Sequence, residues 1–269
     1  MARVHTCTNF LNMESLPLTT IVALLLTAAS SGFIGAFALM RRMTLASDAM
    51  SHIALPGLAL ALLLKLDPFI GGLAALLLGS LLIWGLEQKT KIATETVIGV
   101  VFSASLAIGS LLITTDHELL EALFGKVAAI TSLELLVGMI VPIVIIILLL
   151  WLKERLALSI LSPDIARTTG LNNSRLSLIF LILFSINIIL GLKFLGVLLM
   201  GSLIIIPAAI AKNCSRNFKS DLIISVCAAL TSTVIGLFIS TRYQLDLGPV
   251  IIAVAAALFF ISVFFAKNK

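Results

Sequence analysis

Two ionisable side chains, Asp48 and His52, lie four residues apart in the stretch Met43 to Gly57, whose other members are apolar, small or hydroxylic. Read as a helix, the stretch puts both on one face, about 6 Å apart along the axis. A carboxylate and an imidazole on one face are what a borderline divalent cation needs. An Asp near the centre of a membrane helix costs about 2.5–3.5 kcal/mol on insertion scales, so such a residue is a functional candidate that faces protein or water. The plainer alternative has Asp48 near a membrane interface and His52 hydrogen-bonded to a neighbouring helix. Two ligands are too few for zinc or manganese, which take about four to six. A twofold axis beside this helix would bring two Asp and two His together. Pro56, four residues past His52, removes one backbone bond and is expected to bend or open the helix, freeing carbonyls that can help hold an ion. Pro142 and Pro207 also interrupt apolar blocks, where kinks are the commoner use of proline.

A second set, Asp116, His117, Glu118 and Glu121, is the densest acidic cluster of the chain and could draw cations to an outer entrance. A solvated loop explains it equally well. Glu95 begins an apolar block, a position that helix N-termini favour for Glu in any case. No G-x-x-x-x-G-K-[ST] segment occurs, so the chain cannot cradle ATP by itself and any ATP drive must come from a partner. G-x-S-x-G and H-E-x-x-H are absent too, and Ser51 and His52 point about 100° apart on a helix, which weakens a membrane-hydrolase reading. Cys7, Cys214 and Cys227 share no ligand spacing and are assigned no role.

The elements that must position these residues follow from composition. Of 269 residues, 60% are hydrophobic and 12% charged, and the apolar residues come in blocks of about 20, the length that crosses a roughly 30 Å hydrocarbon core. That pattern excludes soluble sandwiches and bundles. The net charge of +5 is spread over short connectors and forms no basic stripe with interleaved aromatics, so nucleic acid is not an expected partner. The blocks predict an all-α polytopic membrane protein with about nine spans, eight being possible. They lie near 18–40, 44–64, 69–86, 94–114, 134–152, 175–192, 194–211, 220–240 and 248–266. The pair meeting at Lys193 has so short a connector that it could be one broken element.

Placing the first connector in the cytoplasm leaves only Arg3, Lys65, Lys126, Lys193 and Arg242 of the eighteen basic residues outside. That bias fits the positive-inside rule for nine spans with the N-terminus outside and the C-terminus cytoplasmic. The first block could be read as a signal-peptide core ending at Ala28-Ala29-Ser30, but it continues to Met40 and is read as a retained span. Residues 1–17 form an unlike N-terminal extension, with Met13 an alternative start, and 18–266 form a single membrane domain. Small residues Ala28, Gly32 and Ala36 make a strip suited to close helix packing. In the connector Lys153 to Arg175, Ser162-Pro163 is a suitable helix start and Gly170 a suitable stop, predicting a short surface helix.

Five ordered blocks carry a resemblance. Arg41-Arg42-Met43 through Ser47-Asp48-Ala49-Met50-Ser51-His52-Ile53-Ala54-Leu55-Pro56-Gly57, Glu95-Thr96-Val97-Ile98-Gly99, Leu123-Phe124-Gly125, Ser162-Pro163-Asp164 to Gly170, and Phe194-Leu195-Gly196 to Ile206-Pro207-Ala208-Ala209 resemble, in order and spacing, the permease subunit of the ABC-3 family of zinc, manganese and iron importers. The resemblance implies a multi-pass homodimeric permease of the bacterial cytoplasmic membrane. It also implies cytoplasmic ATPase subunits that hydrolyse the ATP, and an extracytoplasmic metal-binding protein. It matches Asp48 and His52 to the intramembrane metal site, and Ser162, Pro163, Asp164, Ala166 and Gly170 to the helix that couples to the ATPase, about 162–170. The Ser-Pro-Asp opening is closer to the zinc branch. The expected cargo is thus a transported divalent metal, zinc first and then manganese or iron, with no covalently bound cofactor. The alternative is a proton-coupled or channel-type carrier independent of any ATPase.

Overall fold

A computed structural model describes residues 17–43, 45–90, 92–112 and 132–266. Asp116, His117, Glu118 and Glu121, residues 1–16 and the Leu123-Phe124-Gly125 block lie outside the described residues. Among those described there are ten helices and no strand: α1 Leu18–Met40, α2 Ala46–Leu63, α3 Pro68–Lys89, α4 Thr94–Leu112, α5 Ser132–Leu161, α6 Pro163–Thr168, α7 Asn173–Leu195, α8 Val197–Cys214, α9 Phe218–Tyr243 and α10 Leu247–Phe265. All nine apolar blocks return as helices. Among the described residues, eight of them are long and apolar enough to cross a membrane.

Local chemistry sets the ends. Asp67 caps α3, its Oδ1 accepting from the Phe69 N–H at 2.8 Å with Pro68 in the first turn, and Asn172 caps α7 through the Arg175 N–H at 3.1 Å. Helices α1, α2, α6 and α9 each stop on a residue with positive φ, namely Arg42, Lys65, Gly170 and Gln244. In each case the next N–H reaches back to the carbonyl five residues earlier: Met43 to Ala38, Leu66 to Ala61, Leu171 to Ala166 and Leu245 to Ser240. These bonds occupy carbonyls that the helix end would otherwise leave open.

Helix α5 runs nine residues beyond the expected stop at 152, to Leu161. Lys153, Glu154 and Arg155 are good helix formers, and the Arg155 guanidinium lies 5.2 Å from the centre of the Trp151 ring, so charge here ends the apolar stretch without ending the helix. Helices α7 and α8 are parted by Gly196 alone, whose φ of 83° and ψ of 165° only glycine adopts readily. They are two elements folded sharply on each other: a Cβ on Gly191 would overlap the Met200 side chain, whereas a straight helix would hold these positions about 13 Å apart.

Helix α8 is the centre of the bundle, packed by α1, α2, α7, α9 and α10. Small residues permit the close approaches. A Cβ on Gly35 would overlap the Ile204 carbonyl of α8, and one on Gly32 would come within 2.9 Å of the Ser225 carbonyl of α9. Ser225 in turn donates to the Gly32 carbonyl at 2.7 Å. Ala28, Gly32 and Ala36 are buried along this face, the packing role expected of the strip. Helix α2 is seated on α3 through Gly57 and Gly71, each of which would overlap the other's carbonyl if it carried a Cβ. Replacing Gly57 by leucine should therefore push α2 off α3 and cost about 1–3 kcal/mol. A lowered thermal midpoint of the detergent-solubilised protein is expected, and an unchanged one would refute the contact.

Candidate metal site

Asp48 sits in the first turn of α2, not at mid-helix, and its side chain is exposed on the chain's own surface. The Leu45 position supplies no side-chain cap there, so the first-turn N–H groups and the helix dipole favour a carboxylate at this point. The rest of that turn is held firmly. Ala46 and Ser47 are fully buried, and the Ser47 hydroxyl donates to the Gly201 carbonyl of α8 at 3.3 Å. A Cβ on Gly201 would stand 3.2 Å from both Cα and Oδ1 of Asp48, so the absence of a side chain at Gly201 gives the carboxylate its room.

His52, one turn later, is half-buried. Its ring centre lies 5.5 Å from that of Phe102 on α4, tilted by 58°. Its Nδ1 is buried and has no hydrogen-bond partner. A buried imidazole nitrogen left without a partner forfeits about 1–3 kcal/mol, a cost that coordination of a cation would offset. The alternative in which His52 serves a neighbouring helix finds no support at this nitrogen.

Helix α2 runs unbroken through Pro56 to Leu63, so the expected opening does not occur. Proline has no N–H, and the carbonyl that residue 56 would normally serve is that of His52, leaving a backbone oxygen beside the imidazole. Pro56 instead packs on α4, where a Cβ on Gly109 would lie 3.6 Å from its nitrogen. Pro142 and Pro207 likewise lie inside continuous helices.

No group of three or more His, Cys, Asp or Glu side chains that could hold a metal occurs among the described residues. Among the described residues, the candidate pair Asp48 and His52 is thus joined by no third side chain of those types. Asp48 on α2 and Leu45 just before that helix are exposed, as are Val100, Ser103, Ala104 and Ala107 on α4. Glu95 is exposed in the first turn of α4, where the helix N-terminus accounts for it. Cys214 and Cys227 are free and exposed.

The Ser162 to Gly170 segment does contain a helix, α6, of six residues. Ala166 is buried beneath it with its N–H on the Ser162 carbonyl at 3.0 Å, whereas Pro163, Asp164 and Ile165 are exposed. Asn173 donates to the Pro163 carbonyl at 3.3 Å and ties the start of α6 to that of α7. The short helix thereby offers a mixed polar and apolar face on a fixed base.

Two residues that shape the candidate pair escape a reading by residue type. Phe102 and Gly201 carry no titratable group, and only their position against His52 and Asp48 gives them meaning.

A family model described as the ABC 3 transport family matches residues 13–266. The manganese transport system membrane protein MntC of Listeria monocytogenes is 32% identical over 242 residues, covering 89% of this chain and 86% of that protein. The high-affinity zinc uptake system membrane protein ZnuB of Haemophilus influenzae is 32% identical over 252 residues, covering 92% and 95%. A solved structure of PsaBC from Streptococcus pneumoniae in complex with Fab matches with a TM-score of 0.79 and 28% identity, over 93% of this chain and 91% of that one.

Valine at position 201 would displace the Asp48 carboxylate. The concentration of zinc or manganese that half-protects the purified protein against heat should then rise about tenfold, the equivalent of about 1.4 kcal/mol. A midpoint that does not move would show that Asp48 takes no part in holding the ion.

Proposed function

The chain belongs to the ABC 3 transport family, and on that premise we propose that Asp48 and His52 of two copies form the transit site for a divalent metal, zinc before manganese or iron. The chain is a multi-pass permease of an ABC-type metal importer in the bacterial inner membrane, and it is not itself the ATPase. The observation that carries the site is the buried, unpartnered Nδ1 of His52 one helical turn from an exposed Asp48. A lone chain can offer these two side chains and the freed His52 carbonyl. Two chains related by a twofold axis would offer four side chains, the number zinc prefers.

Such a site suits passage better than storage. A carboxylate at a helix N-terminus is partly neutralised by the dipole, so it attracts a cation without trapping it. The imidazole adds a nitrogen that zinc accepts more readily than the harder manganese ion does. Relatives named for zinc and for manganese are both at 32% identity, so the preference for zinc rests on the imidazole and on the Ser162-Pro163-Asp164 opening. The connectors beside Arg41, Lys89 and Lys212 would face the cytoplasm, following the basic bias. There α6, through Pro163, Asp164 and Ile165, would dock on the ATPase while Ala166 and Gly170 fix its seat and its end. A metal-binding protein would deliver the ion at the opposite face, where Asp116, His117, Glu118 and Glu121 belong by sequence.

Asp48→Asn keeps the volume and removes the charge. In vesicles holding the permease with its ATPase and binding protein, zinc uptake should fall about a hundredfold, the upper end of what losing even an outer partner of a metal ligand costs, while insertion and ATPase binding persist. Wild-type uptake by the variant would sink the site assignment. Uptake without nucleotide or ATPase would instead identify a self-powered carrier.

A further inference from the structure

At the end of the bundle where α6 lies, one carboxylate joins α3 to the helix that follows it, α4, and to α7, 90 residues on. Glu87, in the last turn of α3, accepts from the Ser177 hydroxyl of α7 at 2.9 Å and from the Thr94 hydroxyl of α4 at 3.1 Å. Its charge also acts on Arg41, the residue that closes α1: burial draws the Arg41 guanidinium below its usual pKa and Glu87 pulls the other way. Arg41 rests on Phe180 of α7, 5.1 Å from the ring centre. One turn before Glu87, Trp84 Nε1 donates to the carbonyl and the hydroxyl of Ser174 at 2.9 and 3.1 Å. Ser174 is the second residue of α7, and only residues 169–172 separate that helix from α6.

The metal pair lies at the far end of these connections. Helix α4 begins at Thr94 and carries Phe102, which lies against His52. Arg41 leads, through a short turn, into α2 and Asp48. A displacement of α6 that shifts the start of α7 therefore acts on Glu87 through Ser177, and so on the start of α4, while the Arg41 turn feels it through Glu87 and through Phe180.

We propose that Glu87 is a positioning residue for transport, whose bonds to Ser177 and Thr94 convey movement of the α6–α7 junction to the Asp48–His52 site. The proposal rests on the permease reading above. Glu87 touches neither metal nor nucleotide, so it acts on the yield of ions per ATP and not on either binding step. A glutamine there loses the charge that Arg41 feels and one of the two oxygens that accept the hydroxyls.

The experiment uses the complete complex with its ATPase and binding protein in proteoliposomes, with zinc and, separately, manganese as the transported ion. For Glu87→Gln, ATP hydrolysis should continue while ions moved per ATP fall about fivefold or more, the lower end of usual coupling free energies. Metal bound by the resting complex should stay near the wild-type amount. A ratio equal to that of the wild type, or parallel losses of uptake and hydrolysis, would overturn the proposal and leave Glu87 as a packing residue. Ser177→Ala removes a single hydroxyl from the same carboxylate and keeps the test decisive if the glutamine variant fails to assemble: a lowered ratio supports the relay and an unchanged one overturns it. A wild-type complex that moves no metal on ATP would overturn the permease reading itself, and the relay with it.

Discussion

In hydrocarbon, a peptide or side-chain polar group that finds no partner costs several kcal/mol, and the architecture of this chain follows from that constraint. Every described span is a helix, so the backbone satisfies itself. Hydroxyl side chains mostly return their proton to their own helix, as Thr27 does to Ala23 at 2.9 Å and Ser51 to Ser47 at 2.8 Å. Ser103 and Ser110 do the same on the exposed face of α4, which lets that face be open without an unpaired donor. The buried His52 Nδ1 stands out because it breaks a rule kept by nearly all its neighbours.

Polar groups that do cross between helices act as clasps. Asn187 of α7 accepts from Ser30 and donates to Ser31 of α1, all three fully or almost fully buried. Ser185 of α7 meets Ser80 of α3. Together with the Ser177 and Ser174 bonds, these make α7 the helix that fastens α1 and α3, while glycine contacts seat α2 against α3 and α8. Hydrogen bonds with few alternatives in lipid hold register, and small residues let dispersion contacts accumulate where no hydrophobic effect drives one helix against another.

The two fastening methods prevail at different places in the molecule. The Asp48 turn is packed against a glycine and left open on one side, a setting that leaves a carboxylate reachable by an ion. The end near α6 is laced by hydroxyl, indole and carboxylate bonds. On the proposed reading the first would serve as a stop for the cation and the second as its connection to the ATPase.

Block length and the cost of burying charge were enough to read nine apolar helices, the absence of a nucleotide loop, and the candidate pair Asp48 and His52, because helix periodicity and hydrophobicity are properties of neighbouring residues. The short helix after Ser162 and its stop at Gly170 were legible for the same reason. The sequence offered no sign that α5 would continue through Lys153, since charge marks the edge of an apolar block and not the end of a helix. The fold-back at Gly196, the placing of Asp48 in a first turn against Gly201, the isolation of His52 Nδ1 beside Phe102, and the meeting of Glu87 with Thr94 and Ser177 were decided only in the tertiary structure. Each depends on which helix lies against which, and in a bundle whose surfaces are almost uniformly apolar that choice is made by the fit of small and large side chains across distant segments, information that no local window of residues contains.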